Sequence, residues 1–210
     1  MRNLTLKILV ALAVLTWAGS VAGQDIKEFV RQIYVHGVPY AEASEYKASV
    51  VPTLLEMLKN PKEQTHWSNI VVTLGMIGDA RAVGPMIAFI EKGRAKTNAV
   101  MVLGYLINKS GNRRALDYLI TNLTLPARTR TEDVFLQRDD LFDATAEHKL
   151  NKYAVMGLAL SGHPRAAEAL KSIRNSLKSS AEKEMIDEAL ETLKKIADKG
   201  LSEYYRTLRP

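Results

Sequence analysis

Four histidines and no cysteine limit the chemistry this chain could carry. Without a thiol there is no disulfide staple, no thiol nucleophile and no cysteine-ligated zinc. His36, His66, His148 and His163 are scattered, and no two stand at a metal-ligand spacing. Asp139, Asp140, Asp143 and Glu147 offer a run of oxygen donors just before His148. Asp143 and Glu147 would share a face if that stretch were helical, and a hard cation takes such carboxylates. Arg138 and Lys149 lie in the same run, however, and it lacks the fixed glycine of a calcium loop. The pattern therefore predicts a solvated charged loop and no metal site. No nucleophile elbow, phosphate-cradling glycine loop or dinucleotide fingerprint occurs. Ser161-Gly162 and Lys109-Ser110-Gly111 predict turns, not a Ser/Lys catalytic pair. The expectation is a non-catalytic protein without a cofactor; the alternative is a metal-dependent enzyme of the cell envelope built on the 139–148 carboxylates.

The first residues predict export. Arg2 and Lys7 precede an apolar run from Ile8 to Ala18, and Gly19, Ser20, Val21, Ala22 and Gly23 are all small or short. That order describes a secretory signal peptide over residues 1–22, cut after Ala22. The run is about half of the roughly 20 residues needed to span a bilayer. No other segment is apolar enough, so no stable membrane insertion is expected after cleavage, and the destination is the periplasm or the medium. With 47% apolar and 25% charged residues, the rest has the balance of a folded chain. The net charge of +6 falls to +4 once Arg2 and Lys7 are removed. No Lys/Arg stripe or aromatic platform accompanies that surplus, so nucleic acid is not the expected partner.

Helical periodicity runs from Asp25 to about Lys199, and no stretch alternates convincingly with period two. Helices are expected over Asp25–Val35 (with Ile26, Phe29, Val30 and Ile33 on one stripe), from Pro39 towards Lys47, and over Val51–Lys59. Others are expected over Thr65–Ile77, Arg81–Glu91, Lys96–Asn108, Arg113–Asn122, Leu150–Leu160, Pro164–Ser176 and Ala181–Ala197. A long charged insertion occupies about 124–148, and Gly200 suits the stop of the last helix. The fold class is all-α, a single domain over 23–210 built from short paired helices with tight turns.

Self-comparison gives those pairs a register. IVVTLGMIGDARAV (70–83) aligns with AVMGLALSGHPRA (154–166) through Leu74/Leu158, Gly75/Ala159, Gly78/Gly162, Arg81/Arg165 and Ala82/Ala166. AVMVLGYLINKSGNRRA (99–115) matches through Leu103-Gly104 and carries a longer turn. Leu74, Leu103 and Leu158 are expected as central core knobs. Gly75, Gly104 and Ala159 leave room for close helix approach, while Gly78, Gly111 and Gly162 can turn left-handed to end a helix. Asp79 and His163 are expected to cap the next helix, with Pro164 in its first turn.

These motifs, clearest in G-x-I-G-D-x-R-A-V-x-P-M-I at 75–87, resemble the HEAT-like repeats of phycobilin lyases and bacterial scaffold proteins over roughly residues 48–197. The resemblance implies an α-solenoid of the armadillo-like helical kind, whose second helices line a concave interaction surface. It also implies a lyase-like enzyme as a form of the enzymatic alternative, which the export signal disfavours. A second stripe on those helices, Asn69, Val72 and Met76, repeats as Asn98, Met101 and Tyr105 and as Tyr153, Met156 and Leu160. It should point well away from the core centre. The candidate binding residues are therefore Asn69, Met76, Asn98, Met101, Tyr105, Tyr153 and Met156, joined by Phe135, Leu136 and Phe142 of the insertion. The expected activity is that of an exported scaffold or adaptor with a protein partner.

Overall fold

The computed structural model describes residues 24–35, 37–92, 96–126 and 148–207, without the side chains of 96–98, 125, 126, 148 and 149. The expected signal peptide, His36 and most of the insertion lie outside the described residues. Helices dominate: α1 (Ile26–Arg31), α2 (Tyr40–Ser44), α3 (Val51–Lys59), α4 (Trp67–Ile77), α5 (Ala80–Glu91) and α6 (Lys96–Ser110) come first. They are followed by α7 (Arg113–Thr121), α8 (Lys152–Ser161), α9 (Pro164–Ser176), α10 (Ser180–Lys199) and α11 (Leu201–Thr207). Two 3-10 turns, Ala48–Val50 and Pro61–His66, precede α3 and α4.

The helices from α3 to α10 pack in two rows. α4, α6, α8 and α10 follow one another in an inner row, each against the next, and α3, α5, α7 and α9 do the same in an outer row. Each inner helix also packs on the outer helix before it in the chain. The core lies between the rows, where Leu74, Leu103 and Leu158 are fully buried, as their repeated position predicts. Helix starts are set by short polar side chains that accept otherwise orphaned amides. Asp79 accepts from the Arg81 amide at 2.9 Å, the imidazole of His163 from the Arg165 amide at 3.2 Å, and Asn151 from the amides of Tyr153 and Ala154.

Several boundaries differ from expectation for identifiable reasons. α1 ends at Arg31 rather than Val35, because Gln32 is already extended. The Asn69 amide donates to the carbonyls of Val30 and Gln32, at 3.0 and 2.9 Å, and so takes the acceptors at that end. Ile33 is consequently 94% exposed instead of sharing the core stripe, while Tyr34 turns in and donates to the Phe29 carbonyl. α2 stops at Ser44, well short of Lys47, and α4 starts at Trp67 because 61–66 form the 3-10 turn. Gly78 is not left-handed (φ −66); it is needed because a Cβ there would meet the Leu74 carbonyl oxygen at 2.1 Å. Gly111 and Gly162 do adopt positive φ.

The described residues also include two short strands that periodicity does not reveal. β1 (Thr124–Pro126) pairs antiparallel with β2 (His148–Leu150), Thr124 opposite Leu150 and Pro126 opposite His148. Three residues are too few to display an alternation. The ribbon forms the root of the insertion, and Leu150, expected at the start of a helix, belongs to it.

Candidate functional site

The second stripe of the inner row does not point away from the core along its whole length. Its C-terminal members, Met76, Tyr105 and Leu160, are buried. Its N-terminal members are more open: Asn69, Val72, Met101 and Tyr153 are half-buried, and Met156 is 45% exposed.

The difference has a local cause. α2 packs on α4, and α11 packs back on both α10 and α2. Tyr205 of α11 stacks on Tyr40 of α2, with ring centroids 4.7 Å apart and planes at 16°. Its hydroxyl shares a hydrogen bond with that of Tyr105, and the Tyr40 and Tyr105 rings lie 6.3 Å apart. The stripe is thus capped at Tyr105 by α11. Burial, reinforced by the neighbouring Tyr205 phenol, raises the Tyr105 hydroxyl far above the ordinary tyrosine range. Burial likewise raises Tyr205, although its hydrogen bond with Tyr105 acts the other way. Both phenols stay neutral at any physiological pH.

Of the seven expected binding residues, then, Met76 and Tyr105 sit inside, and Asn69 is committed to holding the end of α1. The Asn98 side chain lies outside the described residues, as do Phe135, Leu136 and Phe142. Met101, Tyr153 and Met156 remain together at the open end. They are brought there by a close approach of α6 and α8: a Cβ on Gly104 would meet the carbonyl oxygen of Gly157 at 2.0 Å, and one on Gly157 would meet the carbonyls of Met101 and Val100 at 3.2 Å. Tyr153 carries the ammonium of Lys152 at 5.3 Å from its ring centroid, within cation–π range. The Asn151 cap ties this first turn of α8 directly to β2, so the root of the insertion adjoins Tyr153.

Sequence reasoning missed two features near these residues. The first is α11, whose only signal is the i, i+3, i+4 spacing of Leu201, Tyr204 and Tyr205. The second is an open cleft of about 550 Å³ lined by Lys27, Arg31, Thr53, Glu56, Met57, Asn60 and Glu63. Its buried carboxylate, Glu63, is already bound by Arg31 through two hydrogen bonds. Among the described residues no three His, Asp or Glu side chains come together as a metal site, and no helix is long and apolar enough to cross a membrane. The 139–147 carboxylates lie outside the described residues.

No family model, no curated protein and no solved structure matches this chain.

Proposed function

We propose that the chain is an exported α-solenoid of HEAT-like repeats that binds a protein partner on the open end of its inner row. The observation that carries this reading is Met156, a large apolar side chain 45% exposed in the middle of a packed helix, with Met101 and Tyr153 half-open on the same stripe. Methionine and tyrosine suit a surface that moulds to another protein, Met by its flexible thioether and Tyr by an apolar ring with a polar tip. The two-row packing supports the solenoid, because from α3 to α10 each helix pair packs on the pairs beside it in the chain. The repeated Leu-Gly of 74–75 and 103–104, and the matching turns Gly78-Asp79-Ala80-Arg81-Ala82 and Gly162-His163-Pro164-Arg165-Ala166, support its repeat character. The basic start, short apolar run and small-residue exit of residues 1–22 support export. The insertion, rooted beside Tyr153, would add Phe135, Leu136 and Phe142 to the same surface.

The test is affinity capture from the native envelope fraction, with co-purifying proteins identified. The parent is expected to retain a partner that Met156→Lys and Phe135→Ser each weaken while melting as the parent does. Equal capture by all three would move the binding surface elsewhere, to the helices before Val50.

A further inference from the structure

We propose that α11 is an internal ligand: it occupies the tyrosine end of the inner row, and a partner helix presenting a similar leucine–tyrosine face displaces it. This rests on the inner row being the binding surface and adds the chemistry of the partner and the device that controls access. A partner seated on Met101, Tyr153 and Met156 and continuing along the same stripe would run into α11 at Tyr105.

The apolar side chains of α11 fall on one face. Leu201 is buried, Tyr204 and Tyr205 are half-buried, and Ser202, Arg206 and Thr207 are exposed. Glu203 and Arg206 pair with each other at 2.8 Å on that polar side. Seven residues make less than two full turns, too few for a helix that is stable by itself. What holds α11 is what it docks on: Tyr40 by stacking and Tyr105 by the shared hydroxyl bond. Both belong to distant parts of the chain, so the segment sits on its receptor as a separate peptide would.

The tether permits release. Gly200 has φ +80 and ψ 163, a conformation that essentially only glycine adopts freely. No atom lies within 4 Å of where its Cβ would stand. The joint itself is uncrowded, so release of α11 requires only that its contacts on α2, on Tyr105 and on the end of α10 break. Short elements with few buried contacts open locally at lower free energy than the core they rest on.

The probe is a synthetic peptide of residues 200–210, observed by its own tyrosine ring signals in NMR as full-length protein is added. A double variant, Leu201→Ser with Tyr205→Ser, weakens the internal helix while leaving its receptor intact. An internal occupant lowers apparent affinity by the fraction of receptor left free, so the parent should bind the peptide about tenfold or more weaker than the double variant. Adding Tyr40→Ala to the double variant should abolish the gain. Hydrogen exchange on the unaltered protein gives an independent reading: α11 amides should exchange faster than those of the last turns of α10. Equal peptide affinity for parent and double variant, or equal protection of α11 and α10, would overturn the proposal. Either failure would leave untouched the capture that Met156→Lys weakens, whereas capture equal in parent and Met156→Lys would refute the reading of the open end instead.

Discussion

Replacing Gly104 by alanine adds one methyl group where α6 meets the backbone of α8. Its Cβ would stand 2.0 Å from the Gly157 carbonyl oxygen and 2.9 Å from the Gly157 Cα, whereas comfortable contacts between carbon atoms begin near ~3.5 Å. The obstacle is backbone, so no rotamer change relieves it and α6 and α8 must part. The side chains that would lose packing, Leu103, Leu106 and Leu158, are fully buried. Alanine gains about 1 kcal/mol of helix propensity over glycine, and overpacking costs about 1–3 kcal/mol. Because the clash is with backbone, the upper end applies, and the net loss is about 2 kcal/mol. For a chain of this size that lowers Tm by about 4–8 °C. Gly157→Ala is the matched control. There a Cβ meets Leu119 Cδ1 at 3.0 Å and two carbonyl oxygens at 3.2 Å, which shifts of a few tenths of an ångström relieve. The propensity gain of about 1 kcal/mol then offsets the strain, and Tm should stay within about 2 °C of the parent. Thermal unfolding followed by circular dichroism reads both variants. A Gly104→Ala protein that melts with the parent, or a larger loss at Gly157 than at Gly104, would refute the packing argument.

Three further outcomes follow from individual residues. N-terminal sequencing of the exported protein should begin at Gly23, and a mature form starting at Met1 would remove the signal peptide from the account. Glu63 is held below its ordinary value of 4.5, chiefly by the hydrogen bond from Arg31; a carboxyl depressed on folding stabilises above that value and loses the contribution as pH falls through the folded pKa. Glu63→Gln should therefore lower Tm at neutral pH and flatten its fall in acid, and an unchanged acid limb would mean the pair contributes nothing. Asn151→Ala removes the acceptor for two α8 amides at the insertion root and should cost about 1 kcal/mol of stability, measurable by denaturant titration.

How much of this was legible beforehand depends on the length over which a signal accumulates. The helix pairs from α3 to α10 were readable because each carries two or more turns of apolar periodicity, and because Leu74, Leu103 and Leu158 recur in a common frame. The Asp79 and His163 caps were readable from the turn sequence alone. Ile33 continues the apolar spacing beyond the end of α1, and only the tertiary bond from Asn69 reveals that the helix stops at Arg31. The open and closed halves of the stripe were not separable in sequence. Tyr105 looks like Met101 and Met156 until α2 and α11, distant along the chain, close over it. β1 and β2 are too short to show a period. Gly157, the partner of Gly104, is masked in the sequence by Ala159, which holds the repeated small-residue position and is also buried.

The central claim is that a partner protein touches the inner row at its open end. A photo-crosslinking amino acid placed at Met156, in the protein expressed with its own leader, tests it most directly, with Pro85 on the outer row as the comparison because it too is exposed. The account predicts an adduct with another protein from position 156 that Met101→Ala diminishes, and little or none from position 85. An adduct from position 85 with none from position 156 would contradict it.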